Sequence, residues 1–214
     1  MELISLTDKP SVFGNLIAEM RDKQVQKDSF RFRANLELAG TLMAYEISKH
    51  LNFQLKEIES PLANATEKVV TEPLVLVCVL RASLPMFNGF LKVFREAETA
   101  FIGAMRKEDG HNINAEISYL AMPDLRDKTL LFIDPMLATG KSLAACYQNL
   151  TKQTKANKTI VASLFAAPEG ISYITKEINP LKVFVGSVDK ELNAKSYIVP
   201  GLGDAGDLAF GNKL

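Results

Sequence analysis

Cysteine is scarce in this chain, with two residues among 214. Cys78 lies in an apolar run and Cys146 in a helical pattern, a spacing that suits neither a disulfide framework nor a thiolate metal site. Both are expected to be buried free thiols. Histidine is equally scarce, and neither His50 nor His111 has a ligating partner at useful spacing, so both read as surface residues and no metal ligand is assigned. Net charge is missing too: Lys plus Arg and Asp plus Glu each number 25, so no global field draws the chain toward nucleic acid or an anionic membrane. No apolar run approaches the ~18 residues of a membrane span, and the opening MELISLTDKP has neither the basic start nor the apolar block of a signal peptide. The expectation is a soluble, cytoplasmic protein without nucleic-acid or membrane partners, in which any anion is bound by a local device. Repeats, low-complexity linkers and compositional breaks are also missing. Residues 1–214 therefore read as one domain, long enough to bury a sizeable core.

Alternation of apolar runs with helical patterns is what the chain does have. Residues 74–80, 100–104, 130–133, 160–165 and 183–188 read as buried strands, and helical patterns follow the first, third and fourth. That order predicts an α/β fold with a mostly parallel central sheet flanked by helices. Before it, residues 28–51 carry Leu36, Met43, Ile47 and Leu51 at helical spacing, with Ala39 and Gly40 between. This N-terminal helix is expected to pack on the sheet or on a partner subunit. Residues 107–122 are less regular, with Ile113, Ile117 and Tyr119 among polar residues, and suit an antiparallel excursion or a flexible flap.

Chemistry concentrates at LLFIDPMLATGKS, residues 130–142. An apolar strand, a loop of small residues and a helix start follow one another with Asp134 at the join, which is the layout of a phosphate cradle. Thr139, Gly140 and Ser142 bring backbone N–H groups and hydroxyls to an anion. A carboxylate repels phosphate, so Asp134 suits a neighbouring sugar diol or a metal-bound group, and a phosphorylated ribose is the ligand suggested. The P-loop is excluded because Pro135 stands where that motif needs its first glycine. Gly201, Gly203 and Gly206 spell the dinucleotide fingerprint, but the stretch from there to Leu214 has no room for a βαβ unit and its ribose-binding acid.

DPMLATGKS at 134–142 and YIVPGLGDAGD at 197–207, with VCVLRA at 77–82, AMR ending at Arg106 and AAPEG at 166–170, resemble the uracil phosphoribosyltransferase family in residues and in spacing. The resemblance spans roughly residues 30–211. It implies a phosphoribosyltransferase-like fold with an antiparallel flap and N-terminal helices. The reaction it implies joins uracil to 5-phosphoribosyl 1-diphosphate (PRPP), giving UMP and pyrophosphate. By that resemblance PRPP is held by Asp134, Pro135, Met136, Leu137, Ala138, Thr139, Gly140, Lys141 and Ser142. Arg81 and Arg106 meet its diphosphate, for which the planar fork of a guanidinium is suited. Asp204 matches a PRPP residue acting through metal or water, with a role in orienting or deprotonating the base nitrogen also open; with Arg81 and Arg106 it forms the catalytic set. Main-chain groups of Ile198, Gly203 and Ala205, beside Asp204, meet the polar edge of uracil. Cytosine reverses that edge at two atoms, and each buried unpaired group costs about 1–3 kcal/mol, so cytosine is rejected.

The resemblance also implies Mg²⁺ carried mainly by PRPP oxygens, since Pro135 replaces the second acid of many phosphoribosyltransferase loops. A homo-oligomer, dimer or higher, with the N-terminal helices as contacts, and a GTP effector complete the implied partners. Three departures bear on activity. Lys141 puts a cation in a helix's first turn, unfavourable unless an anion compensates it. Ser83 and Pro85 replace common glycines, and Ser83 would be strained if its turn needed φ > 0. Leu208 replaces a residue that is commonly basic. Two alternatives stand beside this reading: a nucleotide-sensing regulator of the same fold without catalysis, and a transferase for another base.

Overall fold

The computed structural model describes residues 2–109, 112–152 and 154–212, of which 104–109 and 112–116 are described as backbone only. In chain order the elements are β1 (Glu2–Ser5), α1 (Val12–Arg21), α2 (Ser29–Ser48), β2 (Phe53–Glu59), β3 (Asn64–Val70), β4 (Leu74–Leu80), α3 (Leu84–Val93), β5 (Glu98–Asp109), β6 (Asn112–Ala121), β7 (Thr129–Ile133), β8 (Met136–Leu137), α4 (Lys141–Leu150), β9 (Lys158–Ala166), α5 (Pro168–Glu177), β10 (Leu181–Val188), β11 (Glu191–Leu192), β12 (Ile198–Val199) and α6 (Ala205–Phe210). The central sheet has the order β1-β10-β9-β7-β4-β5-β6, with β8 appended to β9. Every pairing in it is parallel except β5 with β6.

Period-two alternation along the strands splits the core into two layers. Leu76 and Cys78 of β4, with Leu131 and Ile133 of β7, face α1, α2 and α3 through Leu16, Leu36, Met43 and Phe90. Val75, Val77, Leu130 and Phe132 face the other way, against Leu143 and Cys146 of α4 and Ile174 of α5. Apolar residues on both faces are what a parallel sheet covered by helices requires, which explains the unbroken LVLVCVL of β4. The expected strands all form. The strand expected over 100–104 runs on to Asp109 because β6 pairs with it antiparallel, past a register shift at Gly103 and Ala104. The irregular stretch is thus an antiparallel excursion of the sheet. Asp28 caps α2 by accepting a hydrogen bond from Arg31 N (3.1 Å), so that helix starts where its spacing predicted.

Two features were not expected. β1 adds in parallel to the edge of β10, and β2 with β3 forms a separate antiparallel hairpin whose side chains are largely exposed. The strain considered for Ser83 does not arise: its φ of −75° is ordinary right-handed backbone. Its buried hydroxyl donates to Val79 O (2.6 Å) and lies 3.2 Å from Cys78 Sγ, so the side chain ties the turn after β4 back to its own strand. Among the described residues, no helix is long and apolar enough to cross a membrane.

Candidate active site

Asp134 is the first residue past β7, and its carboxylate accepts the Met136 N–H (3.2 Å), closing a tight turn. Beyond it the loop is fastened to the end of β9. Pro135 O accepts from Leu164 N and Phe165 N, and Ala167 N donates to Leu137 O (2.9 Å). Gly140 then turns with φ +74°, the left-handed region that glycine enters at least cost, and caps α4. Its placement is also steric: a Cβ there would lie 2.8 Å from Gly170 O and 2.9 Å from Ile174 Cγ2. Gly170 answers from α5, where a Cβ would stand 2.3 Å from Ala138 O. Two glycines thus let the loop sit directly on the first turn of α5. No hydrogen bond among the described residues claims the amides of Ala138, Thr139 or Gly140. These amides at the start of α4 are the groups that the sequence analysis offers to an anion. Lys141 is exposed at the first position of α4, Ser142 is half-buried, and that turn holds no acid.

Arg81 follows β4, the strand beside β7, and the register pairs Cys78 with Ile133. Arg81 and Asp134 therefore leave the same edge of the sheet from neighbouring strands, where ligands of α/β sheets bind. The Arg81 guanidinium lies 3.3 Å from Asp207 Oδ1 and 3.4 Å from Gly211 O, so it already touches the C-terminal segment. Arg106 lies not past the end of the strand expected over 100–104 but within the longer β5–β6 pairing, opposite Ala115; its side chain, like all of His111, lies outside the described residues.

The C-terminal segment returns to the same edge. β11 and β12 form a two-residue ladder, Leu192 with Ile198, closed by Asn193 Oδ1, which accepts from Lys195 N and Tyr197 N. Ile198 and Ala205 are buried, whereas Gly203 is exposed at φ +97°. Asp204 caps α6 by accepting the Asp207 N–H (3.0 Å), and Leu208 is half-buried against the layer of α1 to α3. Gly201 carries the sharpest constraint, since with φ +54° a Cβ would meet Ile198 O at 2.2 Å.

Sequence reading missed what holds this segment. Asp189, one residue past β10 and buried, accepts the Gly201 N–H (2.8 Å). Arg21, the last residue of α1, binds both oxygens of Asp189 and also donates to Gly201 O (3.0 Å). Burial alone would raise the Asp189 carboxyl, but Arg21, the Gly201 amide and Ser187 outweigh it and hold it below the usual carboxylate range. Arg33 of α2 donates to Ala209 O (2.6 Å). A usable signal existed for Asp189: an acid directly following a buried strand, as at Asp134. Nothing local marked Arg21. An apolar cavity of about 380 Å³, lined by Leu3, Ile171, Thr175 and Val188 among others, lies on another part of α5 and includes none of the candidate residues.

Both cysteines are buried and unpaired. Burial, aided by the Asp134 charge, pushes Cys146 up to about 12, and burial pushes Cys78 up to about 11 against the opposing Ser83 hydrogen bond. Buried and raised in this way, neither thiol is poised as a thiolate near neutral pH. Among the described residues no group of three or more His, Cys, Asp or Glu is placed to hold a metal ion. This donor set fits an ion that brings its own ligands on a polyphosphate, with one or two carboxylates at most from the protein.

A family model described as uracil phosphoribosyltransferase matches residues 7–212. A uracil phosphoribosyltransferase of Porphyromonas gingivalis is 42% identical over 217 aligned positions, covering all of both chains. One from Thermococcus gammatolerans is 37% identical over 98% of this chain and 93% of its own. Among solved structures, a protein of Aquifex aeolicus superposes with a TM-score of 0.87 at 31% identity, covering 98% of each chain. A Staphylococcus aureus hypoxanthine phosphoribosyltransferase superposes with 0.52 at 16% identity over 75% of this chain, a likeness of fold alone.

Proposed function

The chain belongs to the uracil phosphoribosyltransferase family, and we propose that it transfers the 5-phosphoribosyl group of PRPP to uracil with the residues gathered at the carboxyl edge of its sheet. One observation carries the assignment of the site: the 134–142 loop, the turn bearing Arg81 and the 198–211 segment converge there, with Arg81 in contact with Asp207.

Displacement at an anomeric carbon passes through a transition state with oxocarbenium character, so it needs no enzyme nucleophile. It needs a held sugar, a stabilised leaving group and an aimed base nitrogen. The amides of Ala138 to Gly140, with Thr139, Lys141 and Ser142, receive the 5-phosphate, and an anion there offsets the cation in the first turn of α4. Asp134 accepts from the ribose hydroxyls. Pro135, Met136 and Leu137 form the strapped floor that fixes the cradle's height on β9. Arg81 exchanges its long contact with Asp207 for the diphosphate, which offers more charge and a bidentate geometry. Arg106 is assigned the same partner, carried in by the β5–β6 hairpin. Ile198, Gly203 and Ala205 supply main-chain groups to the base, with Asp204 at the start of α6 beside them. Asp134 or Asp204 would help hold a Mg²⁺ ion carried mainly by PRPP oxygens, and such an ion would supply charge neutralisation at the leaving group. Residues 1–214 act as one catalytic domain in the cytoplasm, working as a homo-oligomer.

The experiment is direct. Purified protein with uracil, PRPP and Mg²⁺ is expected to release pyrophosphate and form UMP, with cytosine, orotate and hypoxanthine poor competitors. Folded protein that forms no UMP, or that prefers another base, overturns the reading.

A further inference from the structure

Gly201 is gripped twice by a single ion pair: its N–H donates to Asp189 Oδ2 (2.8 Å), and its carbonyl accepts from Arg21 Nη1 (3.0 Å). The same Nη1 donates to Asp189 Oδ2 (2.8 Å), while Nη2 bonds Asp189 Oδ1 and Ser187 Oγ (3.1 Å). Ser187 adds a further hydrogen bond to Asp189 (3.2 Å). The carboxylate is therefore fully engaged, and a buried carboxylate with this much hydrogen bonding to a half-buried arginine holds one geometry. The guanidinium carbon also sits 4.5 Å from the centroid of the Phe165 ring. Phe165 belongs to the other half of the site, since its N–H donates to Pro135 O (3.0 Å) and it pairs with Met136. Arg21 thus stands between the strap of the sugar-phosphate loop and the base segment, touching both through Phe165 and Gly201.

We propose that Arg21, acting through Asp189 and against Phe165, is the positioning residue that sets the base segment at its distance from the sugar-phosphate loop and so governs uracil affinity and base choice. The proposal rests on the transferase reading. Displacement requires the base nitrogen and the anomeric carbon near contact distance, and an error of about 1 Å costs on the order of a hundredfold in rate. Among the described residues, the pair hydrogen-bonds the base segment and meets the sugar-phosphate side only across the Phe165 ring. The 134–142 loop is tied independently to β9 and seated on Gly170. Loosening the pair should therefore weaken uracil binding and spare PRPP binding. Unequal loss of the two substrates is a signature that general destabilisation does not produce.

The test uses Arg21→Ala, Arg21→Lys and Asp189→Asn in the full chain, with thermal melts to establish folding. The expected result for Arg21→Ala and Asp189→Asn is a KM for uracil raised about tenfold or more, a PRPP affinity by calorimetry within about twofold of wild type, and a reduced preference for uracil over cytosine. Arg21→Lys, which keeps the charge and one donor, is expected to recover part of the loss. Hydrogen exchange at residues 198–204 should accelerate in the first two variants. If Arg21→Ala does not fold, Asp189→Asn and Arg21→Lys carry the test. Folded variants with wild-type uracil KM and wild-type exchange at 198–204 overturn the proposal, as does a rise in both substrate constants alike. A wild-type protein that makes no UMP sinks the transferase reading instead, and the exchange measurement, which needs no turnover, still decides the clamp.

Discussion

Arg81 and Asp207, 126 positions apart in the chain, meet with 3.3 Å between Nη2 and Oδ1. The arginine side chain is 41% exposed and the aspartate 32%. The contact is longer than a strong charge-assisted bond, so it parks the guanidinium over the C-terminal segment without committing it. The arginine is thus oriented yet releasable, as its proposed role toward the diphosphate requires.

Replacing Arg81 by Ala or Asp134 by Asn removes a group assigned to the leaving diphosphate or to the ribose hydroxyls. Each is expected to lower kcat/KM for UMP formation about a hundredfold, near 2.7 kcal/mol of transition-state stabilisation, while melting temperature stays close to wild type. Steady-state kinetics with both substrates varied decides this. Near-normal turnover in both variants removes these residues from the site.

Gly170 touches no proposed ligand, yet a Cβ there would overlap Ala138 O at 2.3 Å. Gly170→Ala should push the loop off α5, destabilise the protein by about 1–3 kcal/mol and raise the KM for PRPP several-fold. Urea unfolding and PRPP titration measure the two effects. An unchanged PRPP constant would mean that the seat on α5 does not shape the cradle.

Acid stability should carry the signature of Asp189. Its folded-state pKa is depressed, so its contribution is fully present above the unfolded value of about 3.9 and is lost as pH falls through the lower folded value. Urea midpoints measured from pH 6 down to pH 3 should fall more steeply in wild type than in Asp189→Asn. Parallel curves would show that the carboxylate adds no pH-dependent stability.

Thiol chemistry should be silent in the native state. With Cys78 raised to about 11 and Cys146 to about 12, and both buried, neither is a thiolate at pH 8. A chromogenic disulfide reagent should find no reactive cysteine in folded protein and two after denaturation. Rapid labelling of either one without unfolding would contradict the packing of that layer.

Much of this architecture was legible from order along the chain. Short, Val-rich apolar runs such as LVLVCVL suit strands covered on both faces, and helical patterns between them favour parallel connections. The 134–142 loop could be read in the same way, because strand, small residues and helix start are all local, and Gly140 and Gly170 later explained its seat. The exposed hairpin of β2 and β3 could not, since its residues bury too little to leave a periodic trace. Nor could the ending of β5, which the partner strand extends past the point where its apolar pattern stops.

Strand positions, the mostly parallel character of the sheet and the 134–142 loop follow from neighbours in sequence, because burial period and turn chemistry act over a few residues. The partnership of Arg21 with Asp189, the seating of the loop on Gly170 and the contact of Arg81 with Asp207 came only from the folded chain. Each joins groups that share no local pattern, and a charge beside an unmarked helix end means nothing until folding removes water from around it and supplies the one carboxylate it can reach.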